Sequence, residues 1–250
     1  APGVAVGRLR ALAKASGLPY APHMDELDGA LETLKWDDAG LVTVVVQDRF
    51  DGELRMLAHA NAEALHETLR TGEAHFFSRS RQALWRKGET SGNVIRVVEV
   101  WVDCDGDALV YLAEPCGPSC HTGRPTCFFR PLGPEGFGEV TEGERAAPVL
   151  GRLEAVLAQR KAADDDGSYT ARLLRKGPTK IAAKVREEGG ELADALERES
   201  DARVVSETAD VVYHVLVGLL ARGLSIRDVE AELARRFGVG GLVEKASRGG

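Results

Sequence analysis

The sequence predicts two units in series: an α+β domain with a mostly antiparallel sheet, followed by an all-α helical bundle. Three observations carry this reading. β-branched and alternating apolar runs are concentrated before residue 131. A stretch rich in Gly, Pro and Glu follows, from Leu132 to Gly143. Beyond Pro148 every apolar pattern has helical spacing. The expected organisation is a leader over 1–25, a first domain over 26–131, a linker over 132–147, a second domain over 148–240 and a tail over 241–250. Each domain is about 100 residues, a usual size for a small domain.

The elements follow in chain order. Gly7–Gly17 reads as a short Ala/Leu-rich helix, and Asp25–Lys35 as a better one with Leu27, Leu31 and Leu34 on one face. Leu41–Gln47 and Glu53–His59 flank the turn signal Asp51-Gly52 and form a hairpin. Asn61 caps a helix to Arg70, which Gly72 stops. Ala74–Ser78, Val94–Val102 and Ala108–Leu112 are further strands. In the second unit, helices are expected over Leu150–Lys161 and Ser168–Arg175. A third runs from Pro178 to about Glu197 and a fourth over Ser200–Ala221. A fifth is capped by Ser225 and ends at Gly238.

Charge excludes some partners. Lys+Arg number 32 against 39 Asp+Glu, a formal charge of −7. All of it lies before Leu150, with 15 basic and 22 acidic residues there and 17 of each after it. A general nucleic-acid binder would carry a basic footprint, so nucleic acid is excluded as partner. The longest apolar stretches, near Leu41–Val46 and Val215–Ala221, fall short of the ~20 residues a bilayer needs, so no membrane span is expected. The N-terminus lacks Met and a signal core and reads as a processed or trimmed end. Four cysteines are too few for a disulfide scaffold at this length; Cys116, Cys120 and Cys127 cluster, which points to metal or catalysis.

Three constellations carry chemistry. Asp103, Asp105 and Asp107 alternate with Cys104, so an extended chain would turn the aspartates to one face and the thiol to the other. Such an array needs a hard cation such as Mg²⁺ or full solvation. Cys104 with Cys120 and Cys127 offers three thiolates to Zn²⁺ with one position open, and His121 lies beside them. Spacing does not distinguish this from a closed four-cysteine site using Cys116, or from four unconnected thiols. Next, Ser78–Arg81 and Trp85–Asn93 gather basic and hydroxyl groups with two glycines, a composition that cradles phosphate or forms a solvated turn. Finally, Glu187, Glu188 and Glu191 on one predicted helix and Glu207 and Asp210 on the next are spaced to share a face. They are either a Mg²⁺ site between two helices or an exposed acidic stripe.

The run Phe76-Phe77-Ser78-Arg79-Ser80-Arg81 through Leu84-Trp85-Arg86-Lys87-Gly88-Glu89-Thr90-Ser91-Gly92-Asn93 resembles phosphoribosyl-AMP cyclohydrolase. So do Val102-Asp103-Cys104-Asp105-Gly106-Asp107 and Gly117-Pro118-Ser119-Cys120-His121-Thr122-Gly123, across roughly Leu34–Phe129. The resemblance implies zinc on Cys104, Cys120 and Cys127, Mg²⁺ on Asp103, Asp105 and Asp107, and a homodimer with zinc ligands from both subunits. It leaves Cys116 incidental. It implies that zinc-activated water opens the adenine ring of phosphoribosyl-AMP at N1–C6, with His121, or second to it His75, moving the proton. Ser78, Arg79, Trp85, Arg86, Lys87, Glu89, Thr90, Ser91 and Asn93 would then bind substrate.

The pattern Glu-Glu-x-x-Glu followed by Glu-x-x-Asp resembles the all-α NTP pyrophosphatases. Tyr169-Thr170-Ala171, Lys176-Gly177-Pro178, Lys180-Ile181-Ala182 and Asp210-Val211-Val212-Tyr213-His214 bring it closer to phosphoribosyl-ATP pyrophosphatase, over about Leu150–Gly238. This implies ATP-like substrate binding and Mg²⁺ on Glu188, Glu191, Glu207 and Asp210. Glu187 would orient water, and Lys176, Lys180 and Lys184 would hold phosphates. Gly189-Gly190 departs from the helix formers expected inside the acid motif, and close helix packing is one explanation.

Jointly, the chain resembles the bifunctional histidine-biosynthesis enzymes, with the later step encoded first. A general nucleotide hydrolase with a merely binding first unit, and a zinc-stabilised interaction module fused to a dimerisation bundle, are the alternatives. Plastid stroma, for a processed form, or bacterial cytoplasm is the expected location.

Overall fold

The computed structural model describes residues 24–140, 146–163 and 165–236. The chain divides into two units, Ala1–Ala147 and Pro148–Gly250. The predicted helix over Gly7–Gly17 and the end of the last helix at Gly238 lie outside the described residues.

In the first unit, alternation along β1 (Val42–Asp48) buries every second residue, with Val42, Val44 and Val46 at most 1% exposed. β2 (Leu54–Ala60) returns antiparallel to it, and a bulge between Val46 and Gln47 absorbs one register step. β5 (Ile95–Val102) and β6 (Ala108–Pro115) form a second antiparallel pair. The sheet order is β2-β1-β6-β5, so β1 and β6 lie side by side and parallel, Thr43 against Ala108. The sheet is therefore antiparallel at its two hairpins and parallel at its centre.

A separate two-stranded sheet joins β3 (His75–Ser78) to β4 (Ala83–Arg86). β4 departs from expectation, because it starts between the two basic runs and enters the second, where composition reads as a loop. α1 (Met24–Leu31) contributes Leu27 and Leu31 to the core. α2 (Ala62–Thr71) starts where Asn61 Oδ1 accepts from the Ala64 N–H and ends at Gly72, whose N–H donates to Thr68 O. Phe76, Ile95 and Tyr111 are the largest apolar groups of this core; Tyr111 is fully buried and its hydroxyl donates to Thr68 Oγ1. The stretch expected to be a plain linker holds a small hairpin, β7 (Leu132–Gly133) with β8 (Gly136–Phe137).

The second unit is all helix. α3 (Val149–Ala163), α4 (Tyr169–Arg175), α5 (Gly177–Arg198), α6 (Asp201–Ala221) and α7 (Ile226–Arg236) follow the expected order. Ser168 and Ser200 cap α4 and α6 by accepting from Ala171 N and Arg203 N. Ser225 and Asp228 cap α7 reciprocally, the Ser225 N–H donating to the Asp228 carboxylate and Asp228 N to Ser225 Oγ. Leu157, Leu173, Ile181, Leu216 and Val217 make the core.

By length and composition α6 alone among the described helices is apolar enough to cross a membrane, with a mean hydropathy of 1.5 over its window. Glu207, Asp210 and His214 interrupt it, so the sequence shows no unbroken apolar run there. Glu207 and His214 are buried inside the unit with Leu216 and Val217, while 22% of that apolar window is buried.

Candidate active sites

The thiols of the first unit lie in two stretches, Cys104 in the turn between β5 and β6 and Cys116, Cys120 and Cys127 after β6. Cys120 follows the turn at Gly117–Ser119 and is 6% exposed. Its neighbour Cys127 is held by its own N–H, which donates to Arg55 O at 2.9 Å, while Thr126 Oγ1 donates to Leu54 O. The edge of β2 thereby fixes the Cys127 backbone. Burial alone would raise the Cys120 thiol; hydrogen bonds from the Thr122 hydroxyl, 3.1 Å from Sγ, and from the Thr122 N–H outweigh it, so the thiol sits below its usual value. Burial and the neighbouring Cys120 push Cys127 up to about 11. Cys104 does not form a three-ligand cluster with them within one chain; among the described residues only two acidic groups do so. Cys116 is free and exposed.

His121 is exposed, with Nδ1 3.9 Å from Cys120 Sγ. His75 has a different setting. It is 7% exposed in β3, and its Nδ1 contacts Glu73 O at 2.8 Å.

Asp103, Asp105 and Asp107 do gather, each offering an oxygen within 4.8 Å of the others. The cause differs from the expected strand alternation. β5 ends at Val102, and the residues form a turn into β6. Asp103 Oδ1 accepts from the N–H groups of Gly106, Asp107 and Ala108 at 2.8, 3.0 and 3.3 Å. Against partial desolvation, the bonds from Ala108 and Gly106 hold Asp103 low, while its hydrogen bond to Asp103 and the charge of Asp105 push Asp107 up. Lys35 reaches Asp105 at 3.1 Å.

The basic residues separate into distinct settings. Ser78 ends β3, and its Oγ accepts from Arg81 N at 3.2 Å; Arg79 is exposed in the turn. Trp85 packs its ring on Phe76, with centroids 5.0 Å apart, as part of the core margin. Arg86 pairs with Glu73 at 2.7 Å, and Glu89 accepts from the Arg86 N–H. Lys87 is 9% exposed; burial lowers its pKa, and the nearby Cys127 and Cys120 counteract this. It lies by the thiols, in contrast to the open phosphate cradle expected of it. Thr90 and Ser91 are exposed.

Two glycines bring the motif stretches together. A Cβ on Gly88, at φ +88°, would lie 2.6 Å from the backbone of Asn93 and Val94. A Cβ on Gly117, at φ +101°, would lie 2.6 Å from Asn93 Oδ1. The Asn93 side chain therefore covers the turn that leads into Cys120.

In the second unit, Glu188 from α5 and Glu207 and Asp210 from α6 converge within 4.8 Å. Glu188 and Glu207 are buried and Asp210 is exposed. Glu188 pairs with Lys184 at 2.8 Å and Glu207 with Arg203 at 2.6 Å. Glu191 stays outside this tight group. Partial desolvation and the charges of Glu188, Glu207 and Glu187 raise its pKa. Glu187 turns to Lys184 at 2.7 Å, which holds its carboxyl low. Lys184 is thus engaged by two carboxylates, whereas Lys176 and Lys180 line a cleft of about 200 Å³ with Tyr169, Arg172 and Leu173. A Cβ added at Gly189 or Gly190 would meet nothing within 4 Å, so close packing inside one chain does not account for these glycines. Arg172 and His214 also stand at this site, although residue patterning assigns them no role. Their signals are the cation four residues before Lys176 and the histidine one turn after Asp210.

Comparison with known proteins agrees with both halves. A phosphoribosyl-AMP cyclohydrolase model matches residues 56–129, and a phosphoribosyl-ATP pyrophosphohydrolase model matches residues 150–237. The histidine biosynthesis bifunctional protein HisIE of Wolinella succinogenes is 41% identical over 222 residues, covering 87% of this chain and 97% of that protein. Its namesake from Thermus thermophilus is 46% identical over 207 residues, covering 82% and 93%. A chloroplastic form from Arabidopsis thaliana is 40% identical over 230 residues, covering 89% and 82%. With both models matched in series and relatives similar across most of their length, the chain belongs to the HisIE family of bifunctional histidine-biosynthesis enzymes, a phosphoribosyl-AMP cyclohydrolase followed by a phosphoribosyl-ATP pyrophosphohydrolase.

Proposed function

We propose that the helical unit releases pyrophosphate from phosphoribosyl-ATP and that the sheet unit then opens the adenine ring of the phosphoribosyl-AMP formed, at N1–C6. The observation that carries this reading is that both family models match one chain over separate stretches. The domains are taken as 26–131 and 148–240 with a linker over 132–147, in keeping with the division at Ala147 and Pro148.

Cys104, Cys120 and Cys127 would hold zinc. The donor set fits: the cysteines are reduced, and two adjacent thiols sit beside a buried lysine. Bound there, zinc supplies Lewis-acid activation of the water that adds to C6. The separation of Cys104 from the other two within one chain supports a homodimer in which the partner supplies it. His121 takes the proton from the attacking water, its exposed ring lying against Cys120. His75 is the weaker candidate, being buried and tied to Glu73. Arg79 and Arg86 hold the substrate phosphate, and Ser78, Glu89, Thr90, Ser91 and Asn93 hydrogen-bond around it. Trp85 supports that surface from the core, and Lys87 balances the thiolates. Asp103, Asp105 and Asp107 fit a hard cation through their clustered oxygens.

Glu188, Glu207 and Asp210, with Glu191 beside them, would hold Mg²⁺; three mutually close carboxylates facing one another are a fitting oxygen donor set. Bound there, Mg²⁺ neutralises charge on the polyphosphate. Glu187 orients the attacking water, Lys176 and Lys180 hold phosphates, and Lys184 steadies Glu187 and Glu188. Bacterial cytoplasm or plastid stroma is the proposed location, since relatives are named from bacteria and from a chloroplast.

One coupled assay tests the whole reading. Supplied with phosphoribosyl-ATP, Mg²⁺ and Zn²⁺, the chain is expected to yield pyrophosphate and then the ring-opened product. Turnover of ordinary NTPs without ring opening would favour a general nucleotide hydrolase, and metal binding without turnover an interaction module.

A further inference from the structure

Tyr169 borders two clefts of the helical unit, of unlike size and charge. The smaller, about 200 Å³, carries three cations, Arg172, Lys176 and Lys180. The larger, about 470 Å³, is lined by Arg160, Asp165 and Ser168 among others. Its size falls in the usual range of small-molecule sites, roughly 300–1,000 Å³. Tyr169, which the two clefts share, is 46% exposed, and its ring stacks on Tyr213 with centroids 6.4 Å apart.

Arg160 comes from the last turn of α3 and is exposed. Its Nη1 donates at 3.4 Å to Oγ1 of the fully buried Thr170, which also meets the Tyr213 hydroxyl at 2.8 Å. This contact aims the guanidinium, which is in no ion pair among the described residues. The rest of its donor fork is left for a ligand, and its charge does not depend on pH in the working range. Asp165 is fixed by Gly167, whose N–H donates to Oδ1 at 2.9 Å. One cation beside one carboxylate disfavours a polyphosphate. It suits a sugar bearing a single phosphate, whose hydroxyls have protons to give to the carboxylate. Three cations with no carboxylate suit the polyphosphate.

Phosphoribosyl-ATP has both kinds of arm, a triphosphate on the ribose at N9 of adenine and a ribosyl monophosphate on N1. We propose that the larger cleft takes the ribosyl monophosphate on N1, with Arg160 on its phosphate, so that this cleft distinguishes phosphoribosyl-ATP from ATP. The triphosphate then lies along the smaller cleft, and the purine at the Tyr169 ring where the two clefts adjoin. This rests on the proposed use of the acid cluster and lysines for the triphosphate of the same substrate.

The test uses the full chain with phosphoribosyl-ATP and with the same compound lacking the phosphate of the N1 arm. Arg160→Met keeps an apolar stem and removes the charge. It is expected to raise KM for phosphoribosyl-ATP by about 10–100-fold, the effect of charge-assisted hydrogen bonds, with kcat within about twofold of wild type. With the compound lacking that phosphate, Arg160→Met and the wild-type protein should have the same KM. The inhibition constant of inorganic pyrophosphate, which has no sugar arm, should stay at the wild-type value. Arg160→Lys, which keeps a charge, should recover part of the loss. An unchanged KM for phosphoribosyl-ATP in Arg160→Met would overturn the proposal. So would an equal KM rise with the compound lacking the phosphate, or an equal weakening of pyrophosphate, since both mark a merely structural role. Arg172→Met tests the underlying reading separately: no weakening of pyrophosphate there would remove the polyphosphate from the smaller cleft, whatever Arg160 does.

Discussion

In the helical unit, Glu188, Glu207 and Asp210 come from consecutive helices joined by Glu199 and Ser200, and one chain brings them within 4.8 Å. In the sheet unit, Cys104 lies in the β5–β6 turn and Cys120 and Cys127 in a loop beyond β6. One chain does not assemble all three. A site built on a helical hairpin is positioned by local repeat geometry. A site built on loops depends on long-range pairing and, in the proposed homodimer, on a second copy. The two halves should therefore fail separately and in different ways.

The largest expected effect is at Cys120. Cys120→Ser should abolish ring opening and bound zinc while pyrophosphate release continues; persistent ring opening in a zinc-free protein would end the zinc assignment. Next is Asp210→Asn or Glu191→Gln. Either should cut pyrophosphate release, by about 10²–10³-fold at Asp210, and leave ring opening of supplied phosphoribosyl-AMP intact. Normal release by both variants would remove the acids from the mechanism.

A mixed-chain experiment sharpens the comparison directly. Cys104→Ser and Cys120→Ser chains are each expected to be inactive in ring opening. Refolded together, half of the dimers would pair the two kinds, and each such dimer would retain one intact site, restoring roughly a quarter of wild-type ring opening. No recovery would mean that the three thiols belong to one chain. Equivalent mixing of Glu188→Gln with Asp210→Asn chains should restore nothing, since those acids share a chain. The smallest effect is on stability: Gly88→Ala forces an alanine Cβ toward the Asn93 backbone at positive φ and should cost about 1–3 kcal/mol in denaturant unfolding of the sheet unit.

The sequence disclosed the helices well because their limits are local. Asn61 and Ser225 are caps in the structure as expected, and Ser168 and Ser200, expected as first helical residues, cap their helices from one position outside. β4 was hidden, since Ala83–Arg86 is only four residues long and sits among basic residues, and the strand exists through its pairing with β3. The parallel contact of β1 with β6 was equally hidden, being a product of the chain's return rather than of either strand's composition. For the sites, clustering of the aspartates was legible but its cause was not: three N–H bonds to Asp103 in a turn replace the supposed strand alternation. The acids of α5 and α6 were legible from helical spacing. Their individual settings, with Glu187 and Glu188 on Lys184 and Glu191 apart, depend on side-chain reach that spacing does not encode. Trp85 and His75 are expected as site groups; their settings, Trp85 partly buried on Phe76 and His75 buried with Nδ1 on Glu73 O, are decided by the hairpin they share.

The central β1–β6 pairing carries a kinetic consequence. Thr43 meets Ala108 only after the chain between them, four strands and a helix, has been gathered in, so the sheet closes late against a large loop entropy. The α5–α6 hairpin needs only neighbours in sequence. In refolding from denaturant, the carboxylate cluster should be complete while the thiol loop, pinned by Cys127 to β2, still waits for its sheet.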